Sequence, residues 1–136
     1  MKISIIIPIY NFTQELYQLT IDMLKSIKVT TISKDDNLEI IIIDNGSTVG
    51  DVKDWADIYI RNKTNLGFVR SLNKGIQRAQ GKYIARLDDD DFWCNPQKIE
   101  KQVAFLKNNP DYVLTGGGVI RINEQGKEVI RFVLPK

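Results

Sequence analysis

An α/β domain built on a mostly parallel sheet is the architecture this chain predicts, and three observations predict it. Short apolar runs rich in β-branched residues fall at 3–9, 39–43 and 83–87. Segments with helical apolar spacing lie between and after them. The polar residues that bear on chemistry gather where the runs end, which is where ligands sit in open α/β sheets.

The runs 3–9 and 39–43 are apolar almost throughout rather than alternating, as strands buried on both faces are. Between them Leu16, Leu19, Met23, Leu24 and Ile27 recur at helical spacing, so 14–27 is an amphipathic helix. A weaker strand is expected at 58–61. Phe68, Val69, Leu72, Ile76 and Ala79 mark a second helix, with Gly81 as its C-terminal cap. Gly75 lies inside that helix, where glycine costs about 1 kcal/mol against alanine, so close packing is expected there. After the strand at 83–87, Asn95-Pro96 reads as N-cap and first turn of a third helix. Ile99, Val103 and Leu106 form its inner face, and it stops near Asn109-Pro110. A hairpin follows, with arms at 112–122 and 127–134 and a turn at 123–126. The whole reads as one domain, 1–136.

Composition narrows the chemistry. The net charge of +2, with no basic stripe, argues against nucleic acid as a partner. No histidine and one cysteine, Cys94, exclude a zinc site, a Ser-His-Asp or Cys-His mechanism and an internal disulfide within this chain. Carboxylates remain as the acid/base or metal-binding groups. Residues 3–10 lack the basic leader and cleavage site of a signal peptide, and fall far short of the ~18 apolar residues that cross a bilayer. A cytoplasmic location is expected, with peripheral membrane contact left open.

The third apolar run ends in Asp88-Asp89-Asp90-Asp91. Four like charges at the mouth of a buried strand need water, hydrogen-bond donors or a cation. Such a run is either a solvated acidic loop or a site for a divalent ion, which typically bridges one or two carboxylates to phosphate oxygens. The first run ends in Pro8-Ile9-Tyr10-Asn11 and the second in Asp44-Asn45-Gly46-Ser47-Thr48. Tyr10 can stack on a nucleobase, and Asp44 can accept the imide N–H of uracil or thymine or the N1–H of guanine. Turn chemistry alone also explains each segment. Arg70 and Lys74 can reach a diphosphate, although exposed helix faces carry such residues routinely.

Together these segments resemble the family 2 glycosyltransferases. The likeness is carried by 3–11, by 39–48, by Asn65-Leu66-Gly67 and Asn73-Lys74-Gly75, and by the stretch from Gly81 to Asp91. The resemblance implies a GT-A fold and a metal-dependent, inverting glycosyltransferase. The donor would be a nucleotide-diphosphate sugar, with UDP favoured and dTDP open, and the acceptor an unspecified saccharide or lipid-linked hydroxyl. Pro8, Tyr10, Asn11, Asp44, Asn73, Asp88 and Asp89 would bind the nucleotide. The family's Asp-x-Asp signature falls on Asp88 and Asp90, in a register the run leaves ambiguous by one. Asp90, with Asp88, would hold Mn²⁺ or Mg²⁺.

Family 2 domains run on past the point where this chain ends, and that part supplies the acceptor site and the general base. The expectation is therefore a donor half without an acceptor half. Glu100, Asp111, Glu124 and Glu128 are the acidic residues after Asp91; none matches the family's base, and none is assigned as catalytic. A non-catalytic nucleotide-sugar-binding module is the alternative, and an uncovered edge or face would favour a homo-oligomer. A nucleotidylyltransferase needs a glycine-rich loop after its first strand, where this chain has no glycine. A phosphatase or response regulator needs its aspartate at the end of strand one, and an EF-hand needs a different spacing.

Overall fold

The computed structural model describes residues 1–133, and its strands and helices alternate as the apolar pattern requires. The elements are β1 (Lys2–Ile9), α1 (Gln14–Lys28), β2 (Asn37–Asp44), a 3₁₀ turn (Lys53–Trp55), β3 (Ile58–Arg61) and α2 (Phe68–Arg78). They continue with β4 (Tyr83–Arg86), α3 (Lys98–Asn108), β5 (Val119–Ile122) and β6 (Glu128–Phe132). The described residues fall into two compact units, the first 1–100 and the second from 101 onward.

In the first unit four parallel strands stand in the order β3-β2-β1-β4. Ile3, Ile5, Ile6, Ile7 and Ile9 of β1 are all buried, so residues of both parities leave water and both faces of the sheet centre are covered. Ile6, Ile41 and Ile43 form a cluster on one face, with Ile58, Ile60, Leu72 and Ala79 packed around it. Glu39 is also buried and accepts hydrogen bonds from the Ser4 hydroxyl at 2.6 Å, the Gln80 amide at 2.9 Å and Lys2 at 3.2 Å. Burial alone would raise its pKa; the three donors more than offset this and hold it below the usual value.

Two helix faces differ from the pattern read in the sequence. Leu19 is 45% exposed, whereas Thr20, Met23, Leu24 and Ile27 form the buried stripe of α1. The Thr20 hydroxyl donates to the Asn11 side chain at 2.9 Å, which turns the helix toward its smaller residue. On α2 the buried residues are Ser71 and Gly75, while Phe68, Val69 and Ile76 stay exposed. Small side chains win the inner face because the helix backbone lies against β1 and β2. A Cβ on Gly75 would sit 2.4 Å from Ile6 Cγ2 and 2.8 Å from Ile43 Cδ1.

Other corrections concern ends. Gly81 does not cap α2, which closes at Ala79. Its amide donates to the Ser4 hydroxyl at 2.8 Å, and a Cβ there would meet the Ser4 nitrogen at 2.5 Å, so the glycine serves a close approach to β1. Asn95 accepts from the Gln97 amide in a turn that precedes α3, whose first residue is Lys98.

In the second unit β5 and β6 pair antiparallel around a turn closed by Gly126 N–H on the Asn123 carbonyl, with a bulge at Arg121/Ile122. The first arm begins at Val119 rather than 112, because Gly116-Gly117-Gly118 supplies no side chains for cross-strand pairing. Leu134, expected in the second arm, lies outside the described residues.

Gly75→Ala sets helix propensity against overpacking. The propensity gain is about 1 kcal/mol and the overpacking cost about 1–3 kcal/mol. Because one neighbour is the branch methyl of Ile6, we expect net destabilisation, read as a lower urea midpoint.

Candidate nucleotide site

Parallel pairing carries the ends of β1, β2 and β4 to one edge of the sheet, and hydrogen bonds join the loops that follow. The Asn11 amide donates to the Ser47 hydroxyl at 2.8 Å, and the Asn11 carbonyl accepts from Thr48 and Val49. The Tyr10 amide donates to the Asp89 carboxylate at 3.2 Å. These contacts bring the predicted residues Tyr10, Asn11, Asp44 and the aspartates into one linked set of loops. Pro8 is buried in β1, opposite Ile43. Asn11 is 1% exposed with its side-chain oxygen occupied by Thr20, so it ties the loop to α1. Tyr10 is 37% exposed and stacks at a tilt on Phe12, with ring centroids 5.1 Å apart. Asn73 stands exposed on α2, and no hydrogen bond links it to the other candidates among the described residues.

Asp44 is the better-buried carboxylate. Its Oδ1 accepts the Ser47 amide at 2.7 Å, closing the turn through Gly46, whose φ is +85°. Its Oδ2 accepts the Tyr59 hydroxyl and Arg61 Nη1, each at 2.5 Å. Burial pushes the Asp44 pKa up, but Tyr59, Ser47 and Arg61 together hold it below the ordinary range. Tyr59 is pushed up to about 12, first by burial and then by its bond to Asp44. Sequence reading missed Tyr59 and Arg61. The signal was the parallel register, which sets Arg61 directly beside Asp44.

Next to this cluster lies an open depression of about 460 Å³ lined by Ser47, Thr48, Gly50, Asp51, Lys53, Tyr59 and Arg61. The volume falls within the roughly 300–1,000 Å³ of small-molecule sites. Deeper in, Asn45 accepts from Asn62 and Ser71, and Lys74 donates to Asn62 at 2.6 Å, giving Lys74 a structural bond.

The aspartates divide by partner. Asp88 is forked by Arg86, Nε to Oδ1 at 3.0 Å and Nη2 to Oδ2 at 2.7 Å. Asp89 takes the Tyr10 amide, yet burial, followed by Asp90 and Asp88, leaves its pKa raised. Asp91 is raised by desolvation and by Asp90 and Asp88, with Arg86 opposing. Among the described residues no hydrogen bond or ion pair reaches the side chains of Asp90 and Asp91, and no three metal-ligating side chains converge as a protein cage. Two uncommitted carboxylates still suit a hard cation that arrives with phosphate oxygens, which needs only one or two protein ligands. Of the later acids, Glu100 accepts from Thr31 and Glu128 pairs with Arg131.

The family model described as "Glycosyl transferase family 2" matches residues 4–131. The amylovoran biosynthesis glycosyltransferase AmsE of Erwinia amylovora is 31% identical over 94% of this chain and 49% of its own. An uncharacterized glycosyltransferase of Haemophilus influenzae is 34% identical over 93% of this chain and 50% of its own. The chain thus spans about half the length of these two relatives. In fold it is similar to S. aureus TarS 1-349 in complex with UDP, at TM-score 0.68 and 22% identity over 81% of this chain and 33% of that one. It is equally similar to the mannosyltransferase PcManGT from Pyrobaculum calidifontis in complex with GDP-Man and Mn²⁺, at TM-score 0.68 and 23% identity over 88% and 35%. Among the described residues no helix is long and apolar enough to cross a membrane.

Because the folded-state pKa of Asp44 is depressed, its stabilising contribution is complete above the unfolded value of about 3.9 and fades as pH falls through the lower folded value. Asp89 and Asp91, being raised, act in the opposite sense. Asp44→Asn should cost about 1–3 kcal/mol at neutral pH and lose that deficit in acid. Urea midpoints of both proteins from pH 7 to pH ~2 measure the difference.

Proposed function

Because the chain belongs to glycosyl transferase family 2, we propose that it forms the donor-binding half of an enzyme that moves a sugar from a nucleoside diphosphate to an acceptor hydroxyl. The observation that carries this reading is the linkage of three strand-end loops, which sets a buried anionic anchor, Asp44, and an acidic run, 88–91, on one sheet edge.

The base would sit against Tyr10 with its imide N–H on Asp44. That carboxylate accepts three hydrogen bonds in the structure, and a carboxylate offers about four acceptor directions, so one remains for the ligand. Uracil and thymine present such an N–H, and UDP is the nucleotide favoured here. The solved relatives with UDP and with GDP-Man and Mn²⁺ support a nucleotide-sugar donor and a divalent ion. Asp90, with Asp88, would hold Mn²⁺ or Mg²⁺, which would supply charge neutralisation on the departing diphosphate. Asp88 and Asp89 position the loop beside it, Asp88 through Arg86 and Asp89 through the Tyr10 amide. Asn73, exposed on α2, is the remaining proposed nucleotide contact. Inversion at the sugar carbon follows the family resemblance, and no base is assigned. The outer edge of β4, where Ile84 is 49% exposed, supports self-association of this chain.

Calorimetric titration of UDP in Mn²⁺ and then in EDTA tests the reading. We expect metal-dependent binding, and at least tenfold weaker binding in Mn²⁺ for Asp90→Asn with an unchanged thermal midpoint, since about 1.4 kcal/mol is a factor of ten. Unchanged affinity of that variant would overturn the metal assignment. Metal-dependent binding without donor hydrolysis or transfer would favour a binding module.

A further inference from the structure

Arg86 is a cation beside the acidic run whose role so far is only to hold Asp88. It is the last residue of the edge strand β4, two positions before Asp88, and its guanidinium takes both Asp88 oxygens. The same group lies over the Phe68 ring, 4.5 Å from its centroid, at the start of α2. This explains why Phe68 remains at the surface: it supports a cation there rather than filling the core. The fork to Asp88 and the Phe68 ring together keep the positive charge of Arg86 beside the acidic run.

Resting on the reading of residues 88–91 as the cation and diphosphate site, we propose that Arg86 is the built-in counter-cation of that site, a positioning residue that makes divalent-metal binding depend on the diphosphate. Arg86 holds Asp88 and acts electrostatically on Asp91, so its positive charge lies within the run proposed to hold the ion. A free divalent ion approaching that run is repelled. One unit charge about 6 Å from a divalent ion, in a water-like dielectric, changes its affinity by about tenfold. A nucleoside diphosphate reverses the balance, because its phosphate charge attracts the ion and the guanidinium together. Metal and nucleotide then favour each other, and linkage requires the same coupling factor in both directions.

Mn²⁺ binding to the 136-residue chain, read from the electron paramagnetic resonance of the free ion with and without UDP, tests this. Arg86→Gln should bind Mn²⁺ alone about tenfold more tightly than the unsubstituted chain, and the gain in Mn²⁺ affinity on adding UDP should shrink by about the same factor. Arg86→Lys keeps the charge and should stay near the unsubstituted chain in both respects. Arg86 is exposed and its side-chain hydrogen bonds go to Asp88, so thermal melts of both variants should be unchanged. An Arg86→Gln chain that binds Mn²⁺ alone no more tightly overturns the proposal, as does Arg86→Lys behaving like Arg86→Gln. A separate failure is distinguishable: tight Mn²⁺ binding that persists in Arg86→Gln/Asp90→Asn would place the ion elsewhere and overturn the reading of the acidic run itself.

Discussion

The constraint on which the rest depends is that β1 pairs in parallel with both β2 and β4. Parallel strands need crossovers that cover the sheet faces, so β1 is buried on both sides and must be apolar at nearly every position. The same parallelism sends Ile9, Asp44 and Arg86 to one edge. Tyr10, Asn11, Ser47 and the aspartates 88–91 follow directly from those ends. The isoleucine-rich centre is therefore also what brings loops from distant parts of the chain together.

That edge handles negative charge in two ways. Asp44 is removed from water, and three donors repay its desolvation, so it stays ionised below the usual range. The run 88–91 cannot be treated so. One arginine and one backbone amide satisfy Asp88 and Asp89, while partial burial, with mutual repulsion added, leaves Asp89 and Asp91 raised. Asp44 is a completed interaction with an acceptor direction to spare. In the acidic run two carboxylates, Asp90 and Asp91, accept no hydrogen bond among the described residues. The contrast gives the edge a polar anchor at one end and incompletely paired negative charge at the other.

Legibility in the sequence followed period and burial. The strands were readable because an unbroken β-branched run has few alternatives, and β3 matches its expected span. Helices were readable as helices, but their inner faces were not. Val69 and Ile76 look like core by composition, yet Ser71 and Gly75 took the inner face of α2 because its backbone lies close to Ile6 and Ile43, while on α1 Leu19 stays exposed and Thr20 turns inward to Asn11. Glycines were ambiguous for the same reason: Gly81 looked like a cap and proved to be a point of contact with Ser4. Tyr59 and Arg61 went unread, since only strand register sets Arg61 beside Asp44 and leaves Tyr59, two residues earlier, within reach of the same carboxylate.

From the sequence alone came the α/β class, the strand order of events along the chain, the family resemblance and the candidate residues at the strand ends. Each is a local property, carried by periodicity or by a short motif. Partner choice belonged to the tertiary structure. That Asp89 receives the Tyr10 amide, that the Asn11 amide meets Ser47, and that Tyr59 and Arg61 join Asp44 depend on atoms brought together across 15 to 79 residues of sequence. Local pattern does not encode such distances; the packing of the sheet does.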